Sequence, residues 1–94
     1  MRADVKRKWV KALTSGKFRQ ITGNLYDEDL RGYCCLGVLR RCMDRKDEAE
    51  RSGYLTDEQL TRFGLGRGEQ KRLAHLNDKG VPFDMIAGLI DEAL

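Results

Sequence analysis

The groups in this sequence best suited to covalent or metal chemistry are three thiols and one imidazole. Cys34 and Cys35 are adjacent, Cys42 follows seven residues after Cys35, and His75 stands three residues before Asp78. Seven residues make two helical turns, so Cys35 and Cys42 share a face with Cys34 at its margin. Structural zinc takes four ligands with thiols paired at spacings such as C-x2-C, and three thiols plus His75 offer no such pair. No metal and no cofactor is expected. A cysteine nucleophile needs a lowered thiol pKa, which a helix N-terminus would give Cys34, and a base with its orienter, a role open to His75 and Asp78. No strained nucleophile turn or oxyanion loop accompanies them, and a His and an Asp three apart on a helix are commonly surface neighbours. No catalytic residue is assigned. The thiols are read as packed, because free cysteine is among the most buried residue types.

Binding offers more candidates. The first twenty residues hold seven Lys and Arg against Asp4 alone, a local balance of +6 inside a chain of +3. Arg7, Lys8, Lys11, Lys17 and Arg19 form a candidate basic face for phosphates, with Trp9 or Phe18 available for stacking. The same cations could instead be a solvated face or pair with Asp91, Glu92 and the terminal carboxylate. Gly66, Arg67 and Gly68 ahead of a helix form a candidate anion site of free N–H groups and a guanidinium, against a plain hinge between two helices. On the last helix Phe83, Ile86, Ala87, Ile90 and Leu94 make one apolar stripe, and Met85 and Leu89 widen the arc to about 200°, more than one packing face needs. Met85 and Leu89 are thus a candidate apolar patch for a partner or a second copy, unless this helix is central and covered on both sides by the Trp9 and Cys35 helices. The segment from Leu73 to Ala93 has the outline of a helix-turn-helix, but its second helix presents Asp84, Asp91 and Glu92, which phosphate repels.

The elements that must position these groups follow from periodicity. Val5, Trp9, Ala12 and Leu13 recur at helical spacing from Ala3 to Leu13, and Ser15-Gly16 ends that helix. Phe18 to Tyr33 loses the period and reads as turns and short strands, with Leu25 and Tyr26 pairing antiparallel with Arg31 and Gly32 across a four-residue loop. From Cys34 to about Arg45, Cys35, Leu36, Val38, Leu39, Cys42 and Met43 share one side of a buried helix, with Arg40, Arg41 and Asp44 on the other. The charged run from Asp44 to Gly53 is open between helix and loop. Thr56-Asp57-Glu58-Gln59 fits a capping box with Leu55 and Leu60 as its staple, so a helix begins at Asp57 and stops at Gly64. Glu69 to Asn77 forms another helix burying Leu73 and Leu76, closed by Gly80, and Pro82 suits the first position of the last helix. The prediction is a single domain over residues 1–94, of the α+β class and helix-dominated, with a short two-stranded hairpin between the first two helices. Its core is Trp9, Leu36, Leu39 and Ile90.

Composition narrows the setting. Forty per cent hydrophobic and 35 % charged residues suit a globular chain, not a disordered one. Charges at Arg2, Asp4, Lys6, Arg7, Lys8 and Lys11 leave no apolar stretch for an export signal, and no run approaches the roughly twenty residues that span a bilayer. An odd count of three cysteines fits reduced thiols. A cytoplasmic protein without membrane contact is expected.

Lys8-Trp9 with Ala12-Leu13, Ser15-Gly16, Phe18 and Gln20, then Cys34-Cys35-Leu36-Gly37-Val38-Leu39, then Leu76-Asn77-Asp78, Gly80, Phe83, Ile86-Ala87 and Ile90 resemble a family of small uncharacterised bacteriophage and prophage proteins across nearly the whole chain. That resemblance carries no catalytic residue. It implies the cytoplasm of a bacterial host and a non-enzymatic accessory protein that binds, and inhibits or redirects, a host macromolecule. A host protein such as a defence or transcription factor is the first expectation, and a nucleic-acid module using the basic N-terminal face is the alternative. A cysteine-dependent enzyme comes third, and self-association through the last helix is a further option.

Overall fold

The computed structural model describes residues 1–45 and 52–94. Among these described residues eight elements follow in order: α1 Ala3–Thr14, β1 Arg19–Gln20, β2 Tyr26–Asp27, β3 Gly32–Tyr33, α2 Cys35–Asp44, α3 Asp57–Phe63, α4 Arg67–Asp78 and α5 Phe83–Ala93. The helix-dominated α+β prediction holds, with the hairpin between the first two helices enlarged to a three-stranded sheet. The charged run from Asp44 splits. Asp44 ends α2, Arg45 closes it in the left-handed conformation (φ +54°), and residues 46–51 lie outside the described residues.

Helix α1 forms because Val5, Trp9 and Leu13 lie one turn apart on one face, and all three are buried. That face meets α5 and α2, while α4 packs on α2 and α5. Trp9, Leu36, Leu39 and Ile90 share one interior with Val5, Val38, Phe63 and Ile86. The indole N–H of Trp9 donates to the Cys35 carbonyl at 2.8 Å, so the largest core side chain also satisfies its polar atom. The helix buried around its circumference is α2 over its first six residues, Cys35 to Arg40, not α5, and even Arg40, expected outside with Arg41 and Asp44, is buried there. Asp44, at the rim of α2, pairs with Arg62 of α3 at 2.9 Å. Glycine at position 37 is obligatory on steric grounds. A Cβ there would collide with the backbone carbonyl of Leu25, which lies directly against α2.

The hairpin sits one residue later than expected. Tyr26 pairs with Tyr33 and Asp27 with Gly32, antiparallel, and β1 joins β3 in parallel on its other edge, Arg19 opposite Gly32 and Gln20 opposite Tyr33. The turn fixes this register. Asp27 Oδ1 accepts the N–H groups of Asp29 at 2.9 Å and Leu30 at 3.1 Å, which starts the loop after Asp27 instead of after Tyr26. Leu25 is thereby freed from the sheet and sinks into the core.

Two helix starts also move. Helix α4 begins at Arg67 and takes in Gly68, with Gly66 as its N-cap, because Glu69 Oε1 reaches back to the Gly66 N–H at 2.8 Å. Pro82 is the N-cap of α5, one place before the expected position. The box before α3 is as read, with the Thr56 hydroxyl accepting from the Gln59 N–H and the Gln59 side chain from the Thr56 N–H. Neither α2 nor α5 is capped by its own N-cap side chain. Asn77, fully buried at the end of α4, supplies Oδ1 to the Cys35 N–H at 3.1 Å, and Gln20 supplies Oε1 to the Phe83 N–H at 3.1 Å. The two amides join each other at 3.0 Å, and they also donate to the carbonyls of Ile21 and Val81. One amide pair, Asn77 buried and Gln20 half-buried, thus ties the sheet to α2, α4 and α5.

Candidate binding surface

The thiols do not assemble into a nucleophilic site. Cys34 and Cys35 are buried, Cys42 is half-buried, and all three are free. Burial pushes every thiol pKa upward. At Cys34 it prevails over the backbone N–H groups of Gly37 and Leu36, and the Asp78 carboxylate adds to it. At Cys35 the neighbouring Cys34 reinforces burial, and the thiol donates to the Leu73 carbonyl at 3.6 Å. At Cys42, burial outweighs the opposing charges of Arg41 and Lys8. A nucleophilic thiol requires the opposite shift. His75 is exposed on α4, and Asp78 accepts the Gly23 N–H at 3.0 Å, so its carboxylate anchors a turn. Among the described residues no three His, Cys, Asp or Glu side chains gather as a metal site.

At the candidate anion site, carboxylates of the chain already occupy the donors. Arg67 forks onto Asp57, Nε to Oδ1 at 3.1 Å and Nη2 to Oδ2 at 2.6 Å, and Glu69 holds the Gly66 N–H. Gly68 is a helical residue. On α5, Met85 is 62 % and Leu89 36 % exposed, so this patch faces outward, with Leu89 bordering a shallow apolar hollow of 170 Å³ beside Leu76 and Leu94.

The five basic residues of the N-terminal face are all exposed, and the fold distributes them. Arg7 and Lys11 line a hollow of 420 Å³ between α1 and α5 with Lys6, Val10 and Asp91. Lys8 faces α2, where its charge and that of Arg41 act together on Cys42. Lys17 lies on a second hollow, of 510 Å³, with Phe18, Tyr26, Glu28, Arg31, Tyr33 and Arg41. Arg19 lines neither hollow: strand alternation turns it to the opposite side of the sheet from Gln20, and its guanidinium donates to the Leu30 carbonyl at 3.4 Å. Asp91 borders the first hollow, but among the described residues no carboxylate lies within 4.0 Å of Arg7, Lys8, Lys11, Lys17 or Arg19. The internal pairing with Asp91 and Glu92 is therefore not made.

The second hollow contains what sequence reasoning missed. The Tyr26 and Tyr33 rings lie 4.6 Å apart at 34°, and Phe18 meets Tyr33 edge-on at 5.2 Å and 83°. Three aromatic rings thus stand beside Lys17, Arg31 and Arg41. The expected register would have put Tyr26 opposite Arg31 and hidden this cluster. The signal was the Asp27 turn, which moves Tyr26 opposite Tyr33.

No curated protein and no solved structure matches the chain. A family described as a domain of unknown function, DUF8296, matches residues 1–59, which run from α1 through the sheet and α2 into α3 and include the basic face and the aromatic hollow. This match takes in more than half of the 94 residues, and the chain belongs to that family.

Proposed function

We propose that this chain acts by binding: a non-enzymatic, phage-type accessory protein that holds an acidic host macromolecule against its basic surface and so inhibits or redirects it. The observation that carries this reading is the set of exposed cations Arg7, Lys8, Lys11 and Lys17, none of which has a carboxylate within 4.0 Å among the described residues. Internal ion pairing would have accounted for their excess. Instead, among the described residues, these cations stand on the surface without a carboxylate in contact, which favours encounter with an anionic partner. The raised thiol pKa values, with Cys34 and Cys35 buried and Cys42 half-buried, and the exposed His75 support a binding role over a cysteine-dependent reaction. The partner is either a host protein with an acidic face or a nucleic acid of the host cell.

Retention on immobilised heparin tests the reading. The folded wild-type chain is expected to bind at about 50 mM salt and to elute as salt rises towards about 200 mM. Arg7→Glu with Lys11→Glu should elute markedly earlier at unchanged thermal stability. Flow-through of the wild-type chain at low salt would sink the reading. Capture from host lysate with and without nuclease then separates the two partner classes.

A further inference from the structure

Resting on that binding reading, we propose that the hollow between the sheet and α2 is a base-stacking subsite for single-stranded nucleic acid, with Phe18 and Tyr26 as its ring platform and Lys17 and Arg31 as its phosphate contacts. The rings are arranged for this. Tyr33 is 9 % exposed and acts as a buttress, while Phe18 and Tyr26 both rest against its ring and are only half-buried. A ring held by a buried neighbour loses little freedom when a base stacks on it, and stacking accepts any base because every base has a π face. The hollow measures 510 Å³ and opens to solvent, within the roughly 300–1,000 Å³ of ligand sites.

Charge completes the site. Lys17 adjoins Phe18 in sequence, so a phosphate contact sits next to a stacking ring. Arg31 reaches the hollow from a left-handed backbone (φ +49°), a conformation in which glycine or asparagine costs less, so the guanidinium is kept there against the local backbone preference. Among the described residues the one carboxylate on the rim is Glu28. An acidic protein segment would use the cations and leave the rings without a purpose. A duplex would hide its bases from them.

Fluorescence anisotropy with labelled oligothymidylate and oligouridylate of about ten nucleotides tests this, against an abasic phosphodiester of equal length, a duplex of equal charge and polyglutamate. Each single strand is expected to bind about tenfold more tightly than the abasic strand or the duplex. Phe18→Leu or Tyr26→Leu should bring the single strands down to the abasic level and leave abasic binding unchanged, with circular dichroism confirming the fold. Glu28→Gln should tighten every oligonucleotide about twofold at low salt. The wild-type comparison stands even if a ring variant fails to fold. Equal affinity for thymidylate and abasic strands, or for duplex, overturns the stacking subsite and leaves the broader binding reading intact. Binding of polyglutamate alone assigns the surface to an acidic protein and overturns the nucleic-acid assignment. Binding of no probe at low salt overturns both.

Discussion

Cys35 has no exposed surface, donates its thiol proton to a main-chain carbonyl and lends its own carbonyl to Trp9. The choice between reactive and packed thiols was legible from residue type and spacing, because the sequence offered neither a ligand set nor a nucleophile turn. Gly37 was not legible in the same way. Its reason is Leu25, twelve residues earlier, which only the fold brings against it. Burial of the thiols has a pH consequence with a definite sign. In the folded chain the thiol pKa values are raised, whereas in the unfolded chain cysteine ionises near its ordinary value of about 8.5. The unfolded state therefore releases protons first, and a stabilisation that is complete at neutral pH is lost as pH climbs past about 8.5. Urea titrations at pH 7 and at about pH 10 should show the wild-type chain losing more stability than Cys35→Ala over that interval. Identical losses would mean that Cys35 ionises equally well when folded.

At the scale of elements, the caps divide into those a sequence displays and those it conceals. The box at Thr56 is local, three residues wide, and was read correctly. The caps of α2 and α5 come from Asn77 and Gln20, which are 57 residues apart and recognisable only once α4 and the sheet converge. The hairpin was legible in place and loop length but not in register, since the Asp27 side chain settles which residue begins the turn. Asn77→Ala leaves the Cys35 N–H, the Ile21 carbonyl and one Gln20 N–H without their shared partner in a dry interior, and is expected to cost about 3 kcal/mol of unfolding free energy. Gln20→Ala should cost about 2 kcal/mol. The double variant should lose less than the two single losses added together, because the amides serve one network. Strict additivity in urea unfolding would show that they act separately.

For the whole molecule, the core was the most legible part. Trp9, Leu36, Leu39 and Ile90 were read from periodicity and do share one interior. The charge asymmetry was equally plain, but its division between a hollow beside α5 and an aromatic one beside α2 depends on where helices and strands cross. The family match ends at residue 59, whereas the interior does not. Leu73, Ala74, Asn77, Ile86, Ala87 and Ile90 all lie beyond it, and they close the core over α1 and α2. A fragment comprising residues 1–59 is therefore expected to lack a cooperative melt by circular dichroism, whereas the full chain unfolds in one transition. A fragment that melts cooperatively would show that α1, the sheet and α2 are sufficient alone.

The amide of Asn77 therefore limits how such proteins can be recombined. A chimaera grafting residues 1–59 of this chain onto a foreign tail inherits the open start of α2 and the Gln20 amide, both awaiting a counterpart. The donor tail must bring a carboxamide to that spot, or the hybrid carries stranded donors at its centre.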